Sequence, residues 1–369
     1  MSNPTKDITF RQLLALVNLA LWNKEPDESL FAEMSAKDWD GLYQFAIQHG
    51  VMAIAFDGMM RLSKDLQPPL KLRLTWGIGV ERIEQDYNLK LSVADELAEI
   101  FSQEQIRMLI FKGFSLSNYY PIPSHREFGD IDIYLFGEHT KGDELIRQIG
   151  AIGKEYDGDK HSNLLYKNVV IENHAYFLNV HDSVKIAKLN DTLLDILEND
   201  LSEKHRQANR SFFPPSDFTA IFFTIHAIKH LSTEPMLLRT YCDWALFLQA
   251  NINELDIEKW RAALTEAGFL DVAEALTTLT FRWLGPFPVE NFVTKKHPDW
   301  ENLLTKEMTE PPYPPYEETT RWRTLLYRYK RFRITYKRRI ALYGGNFFTY
   351  FFPSLIHYIK HPQAIFKFH

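Results

Sequence analysis

Hydrophobic residues recur at helical spacing through the first hundred positions. Phe10, Leu13, Leu14, Val17, Ala20 and Leu21 mark one apolar face. Ser35 is placed to cap a second helix running to His49, with Trp39, Leu42 and Phe45 on its buried side. Pro68-Pro69 opens a long helical pattern carried by Leu72, Trp76, Val80, Ile83, Tyr87, Leu91, Ala94, Leu97, Ile100 and Phe101. Gly77 and Gly79 weaken it locally, and no strand precedes them, so they are not a nucleotide-binding fingerprint.

The period changes at Gln105. Ile106 to Phe111 is an apolar run of strand length, closed by Lys112-Gly113. A connection holding Pro121 and Pro123 leads through Gly129 into a second strand, Asp130 to Phe136. Residues 140–150 read as a helix, and Tyr156 to Asp159 as a turn. Leu164–Tyr166 and Val169–Phe177 read as two strands around Lys167-Asn168. Helices resume near Val184, restart after Pro214-Pro215, and continue over 237–250, 257–267 and 270–284. Gly285 to Pro315 is rich in proline and is expected to be irregular. The division is a helical region (1–104), a small α/β core (105–182), a helical bundle (183–284), a proline-rich linker (285–320) and a tail (321–369). The fold class is α+β, a small mixed sheet flanked by helical modules on both sides.

Composition adds two constraints. The chain has 369 residues, 45% of them hydrophobic, which suits a folded globular protein of two or three modules. Cys242 is the only cysteine, so an intramolecular disulfide and a four-cysteine zinc site are excluded. It reads as a small core residue, and a reducing, cytoplasmic setting is expected. The first 25 residues carry Asp7, Arg11, Lys24 and Glu25 with no small-residue cleavage site, unlike a secretory signal. Charge is lopsided. From Arg321 onward there are 11 Lys or Arg and no Asp or Glu, against a net charge of -6 for the whole chain, leaving -17 on the first 320 residues.

The chemistry concentrates in the central strands. Asp130 and Asp132 stand two apart on one strand, so both side chains point to one face. Two carboxylates so close repel unless a cation lies between them, and hard oxygen ligands of this kind suit Mg²⁺. Alone, the pair reads more readily as a turn residue followed by a solvated strand charge. On the later strand, alternation sets Val170, Glu172, His174 and Tyr176 on one face, with Ile171, Ala175 and Phe177 on the other. Glu172 would be a third carboxylate for a two-metal phosphoryl-transfer site; otherwise this is the polar face of an edge strand. Arg126 lies where it could clamp a phosphate. His226 and His230 share a helix face. With Asp243 they could hold zinc, or one could pack and bond Asp243 while the other faces the cleft. A middle reading has His230, Arg239 and Asp243 lining an acceptor pocket.

Together, Phe111-Lys112-Gly113, Tyr120-Pro121, Arg126, Gly129-Asp130-Ile131-Asp132 and Glu172-Asn173-His174 resemble the uncharacterised nucleotidyltransferase family of the polymerase-β-like superfamily. His226 to Leu231, Arg239 and Asp243-Trp244 are similar to the helical region that follows that core. The resemblance spans roughly residues 30–280 and leaves out the tail. It implies a nucleotidyltransferase-type sheet, with Asp130, Asp132 and Glu172 as metal ligands for Mg²⁺ (or Mn²⁺). It implies that Lys112 acts in catalysis and that Gly113, Ser115, Arg126, His174, His230, Arg239 and Asp243 contact substrate. Lys112-Gly113 stands where the wider superfamily usually has Gly-Ser. The expected activity is transfer of a nucleoside monophosphate from an NTP donor, ATP by default, to an unknown hydroxyl or phosphate acceptor. The alternative is a binding module on the same fold without turnover.

The tail reads as a basic amphipathic helix over 319–339, then an uncharged aromatic stretch over 340–359, split by Gly344-Gly345-Asn346 and Pro353. It is expected either to fold back on the acidic body or to meet an anionic membrane surface or a partner protein, with nucleic acid the poorest fit.

Overall fold

The computed structural model describes residues 4–154, 160–181, 183–285, 292–309 and 321–360. The turn expected at Tyr156 to Asp159 falls outside them, as do most prolines of the 285–320 segment.

Helices α1 (Pro4–Trp22), α2 (Ala36–Gln48), α3 (Met52–Arg61) and α4 (Leu70–Gln103) build the first region. Ser35 caps α2 through a reciprocal box with Asp38. Gly58 lets α3 cross α1 at close range, since a Cβ there would sit 2.0 Å from the Leu16 carbonyl oxygen. The 34 residues of α4 span about 50 Å. Its first half gives Trp76 and Val80 to the core shared with α1–α3. Its second half lays Val93, Leu97 and Phe101 beneath the sheet.

The sheet has five strands, β1 (Leu109–Ile110), β2 (Asp130–Tyr134), β3 (Ile152–Lys154), β4 (His161–Tyr166) and β5 (Val169–His174), in the order β1-β2-β5-β4-β3. Only β2 and β5 run parallel. A parallel pair needs a long connection. Here it contains α6 (His139–Gln148) and the β3–β4 pair, while α5 (Gly113–Ser117) lies between β1 and β2. Lys167 and Asn168 both take positive φ (49° and 63°), the geometry of a tight two-residue hairpin turn between β4 and β5. Ile131, Ile133, Leu164 and Ile171 bury one sheet face against α4 and α6. The other face carries the polar residues of interest.

Helices α7 (Val184–Asp200), α8 (Ser216–Leu231), α9 (Leu238–Asn251), α10 (Ile257–Ala267) and α11 (Leu270–Leu284) cover that second face and pack back onto α1. Phe10 and Tyr241 both meet the Trp283 ring edge-on, and Asn18 donates to the Trp283 carbonyl oxygen at 2.9 Å. The helical region and the bundle therefore share one apolar core.

Three expectations need correction. The apolar run at 106–111 forms only a two-residue strand, whose other edge is bonded to Phe212 through Met108 and Ile110. Strand β3 has no alternating pattern and was not expected. The 285–320 segment holds a helix, α12 (Pro298–Thr309). Pro298 opens it, where a proline costs no hydrogen bond, and Leu304 and Met308 are buried. The tail forms α13 (Arg321–Tyr343) and α14 (Phe347–Lys360), broken at Gly344 and Gly345, whose φ values are 72° and 86°.

His49, just past α2, fixes the start of α9. Its Nδ1 accepts from the Leu238 amide at 3.3 Å and its carbonyl oxygen accepts from the Arg239 amide at 3.2 Å. Burial, opposed by a backbone contact with Met308, lowers its pKa to about 4. The unfolded chain takes up a proton near pH 6.5 while the fold refuses it until about 4. Stability should therefore fall as pH drops through that window, by roughly 3 kcal/mol from this group. Urea titrations at several pH values test this. His49→Gln should flatten the slope, and parallel slopes for both proteins would refute the assignment.

Candidate functional site

The site begins where β1 turns into α5. Lys112 has φ 62° and ψ −145°, a backbone region that almost only glycine occupies. Gly113 follows at φ 26°, with the Phe128 ring 3.1 Å from where its Cβ would be. Ser115 Oγ donates to the Lys112 carbonyl oxygen at 2.8 Å. This strained corner aims the Lys112 ammonium back across the sheet, 2.5 Å from Asp132 Oδ1.

Four consecutive residues before β2 are each held by a polar contact. His125 lies between Asp57 of α3 and Glu84 of α4, at 2.7 and 3.0 Å. Arg126 donates through Nε and one terminal nitrogen to the two Asp243 oxygens of α9, at 2.7 and 2.9 Å. The Glu127 carbonyl oxygen accepts from Arg239 of α9 at 2.7 Å. The Phe128 carbonyl oxygen accepts from Lys90 of α4 at 2.7 Å. The chain reaches Asp130 with little freedom left.

In the parallel β2–β5 pair, Asp132 lies opposite Glu172 and Asp130 opposite Val170. All three carboxylates thus share the face turned toward α8. Counting back equally from the hairpin turn sets His161 opposite His174. His174 Nε2 lies 2.9 Å from Asp132 Oδ1 and 3.3 Å from Glu172 Oε2, and His161 Nε2 lies 3.4 Å from that same Glu172 oxygen. Burial favours a protonated Asp132, but Lys112 and His174 overcome it and hold the carboxyl well below its usual range. Burial also acts upward on Glu172, and the His174 contact reverses it. Asp130 moves the other way, raised by burial and by the Asp132 charge. Lys112 would be lowered by burial, yet Asp132 and Asp130 keep it above its ordinary value.

A cleft of about 600 Å³ opens over this face. One wall is acidic: Asp130, Asp132 and Glu172. Lys160, His226, His230, Glu234 and Arg239 also line the cleft, and Phe222 and Phe223 supply an apolar floor. Burial and the Lys112 charge lower Lys160 to about 8. Burial likewise pushes His226 well below its usual value and lowers His230, each helped by Lys112.

Lys112, Gly113, Ser115, Arg126, Asp130, Asp132, Glu172, His230, Arg239 and Asp243 all line one cleft, although they come from segments far apart in sequence. Several expected roles nevertheless change. Arg126 cannot offer a free fork to a phosphate, because Asp243 already occupies it. Asp243 is spent on Arg126 and on the Tyr120 hydroxyl, which donates at 2.7 Å, so neither a zinc site with His226 and His230 nor a histidine bond to Asp243 forms. His174 is fully buried, wedged against Phe111 and His161, with its ring against Asp132. Ser115 has turned its hydroxyl inward. Lys160 and His161 were not anticipated. The equal count back from the Lys167-Asn168 turn is the signal that could have found His161.

The donor set fits a hard divalent cation. Among the described residues, Asp132, Glu172 and His174 each offer a ligand atom, all within 4.8 Å of one another. Asp130 adds an oxygen at the cleft mouth. Carboxylates suit Mg²⁺, and an imidazole at the edge of the set is compatible with Mn²⁺.

Against known protein families, the chain matches over residues 35–285, more than half its length, and it belongs to the family described as uncharacterised nucleotidyltransferase. No curated protein and no solved structure matches it. The mixed sheet with its helical flanks is the α+β architecture the resemblance implies.

The Arg126–Asp243 pair can be tested directly. Asp243→Ala leaves a buried guanidinium unmatched and should lower stability by about 3–5 kcal/mol. The Arg126→Met/Asp243→Leu double variant should recover much of that in urea unfolding. Equal losses in both variants would show that the pair does not act as a unit.

Proposed function

We propose that this protein is a metal-dependent nucleotidyltransferase moving a nucleoside monophosphate from an NTP, ATP by default, to a hydroxyl or phosphate acceptor. The observation that carries the reading is the register of β2 and β5. It sets Asp132 beside Glu172, with Asp130 on the same face, at the wall of a cleft that Lys112, Lys160 and Arg239 also line.

Asp130, Asp132 and Glu172 would hold Mg²⁺ or Mn²⁺, with His174 orienting Asp132. The bound cation would neutralise the triphosphate and lower the pKa of the acceptor hydroxyl. Lys112 and Lys160 face the charge that builds on the leaving pyrophosphate. In the reaction the acceptor oxygen bonds to the α-phosphorus, and the bond to pyrophosphate breaks. The acceptor's proton would pass to a base at the cleft, and His230, exposed and lining it, stands as that candidate. Phe222 and Phe223 give a nucleobase or an apolar acceptor a surface to lie on.

Calorimetry with each of the four NTPs plus Mg²⁺ tests the donor. One NTP should bind in a metal-dependent way, and Asp130→Asn/Asp132→Asn should abolish that binding. Once an acceptor is in hand, Asp132→Asn should cost on the order of 10³-fold or more in rate. Full turnover by that variant would end the proposal. Metal-dependent binding without turnover on any acceptor would favour the non-catalytic module. Lys160→Met should weaken NTP binding about tenfold without unfolding the chain. Unchanged affinity would remove Lys160 from the site.

A further inference from the structure

The tail presents two different surfaces on one helical hairpin. Helix α13 docks through one side. Thr324, Thr335, Arg338 and Leu342 are buried there, Arg338 Nε donates to Glu307 of α12 at 2.7 Å, and the Tyr343 ring meets Phe269 edge-on. A second side packs α14, through Phe332 and Tyr336 against Phe347 and Phe351. The remaining side faces outward. Lys330, Arg333 and Lys337 recur there at three- and four-residue spacing and are exposed.

Helix α14 uses Phe347 and Phe351 to grip α13 and turns a different stripe to solvent. Phe348 is 61% exposed, Phe352 52%, Leu355 41% and Ile356 51%. Their spacing is that of one continuous helix face. On α13, Leu326 and Tyr329 are also more than half exposed. So many bare large apolar residues on one hairpin need a partner in water.

We propose that the α13–α14 hairpin docks the protein onto an anionic lipid surface, with the α14 stripe in the headgroup boundary and the α13 lysines and arginines on the lipid phosphates. Charge complementarity selects this occupant, since 11 basic and no acidic residues lie between 321 and 369. The apolar stripe separates lipid from nucleic acid, whose phosphate backbone gives leucine and isoleucine nothing to bury against. Among the described residues no helix is long and apolar enough to cross a membrane, so the contact is interfacial. The Arg331–Glu234 pair at 3.5 Å sets this hairpin beside the cleft rim, so a docked protein would hold its cleft near the lipid surface.

Flotation of the 369-residue chain with vesicles tests the proposal. The protein should rise with phosphatidylcholine vesicles containing phosphatidylserine, remain behind with phosphatidylcholine alone, and lose binding as salt increases. Lys330→Gln/Arg333→Gln/Lys337→Gln should weaken binding on the order of a hundredfold. Phe348→Ser/Phe352→Ser/Ile356→Ser should abolish it even at low salt, with NTP binding and circular dichroism unchanged in both variants. Wild-type protein that floats with neither vesicle would overturn the proposal, as would variants that float as well as wild type. Single-stranded RNA binding lost in the charge variant, with no flotation, would assign the surface to nucleic acid. A drop in solution mass of the apolar variant by light scattering, with no flotation, would assign it to a second copy of the chain.

Discussion

A guanidinium shut away from water must be met by a carboxylate with good geometry or the fold loses several kcal/mol. Arg126 is met by both oxygens of Asp243, and the Tyr120 hydroxyl completes that carboxylate. The pair joins the loop before β2 to α9, across 117 residues of sequence. Its neighbours His125, Glu127 and Phe128 are tied to α3, α4 and α9 by further polar contacts. The consequence is functional. Asp130 and Asp132 sit at the end of this loop, so the helices surrounding the sheet set where the carboxylates lie.

The same logic governs the charge inside the cleft. Three carboxylates on one sheet face are stable only with a cation among them. In this structure Lys112 is that cation, held by a backbone corner that glycine would occupy with less strain. A divalent ion entering the site would therefore meet an ammonium already there. His174, fully buried, supports the arrangement from behind through its contact with Asp132.

The tail stands apart. The family match ends at residue 285, yet α12 and α13 are joined by a buried Arg338–Glu307 pair and rest on the bundle. One helix therefore belongs to the body, and the other leaves aromatic residues in solvent. The proline-dense segment hid α12 because prolines at its borders mask a short periodic run. The tail's basic charge was plain from its composition alone.

Local period and composition determined a good deal. Most of the helices, the strands bearing Asp130 and Glu172, the Lys167-Asn168 turn and the break at Gly344-Gly345 follow from backbone preferences that act over a few residues. The candidate carboxylates were readable because alternation along a strand assigns each side chain to a face. Pairing was not readable. That Asp132 lies beside Glu172, that Lys160 faces the same cleft, and that Arg126 serves Asp243 depend on contacts between residues tens to hundreds of positions apart. Those contacts form only when the helices bury their apolar faces together. Each then changes what a side chain has left to offer: Arg126 and Asp243 neutralise one another, His174 is sealed beneath the site, and Lys112 is drawn into it. Residue type supplied the list of groups able to do chemistry, and tertiary packing decided which of them remain free to do it.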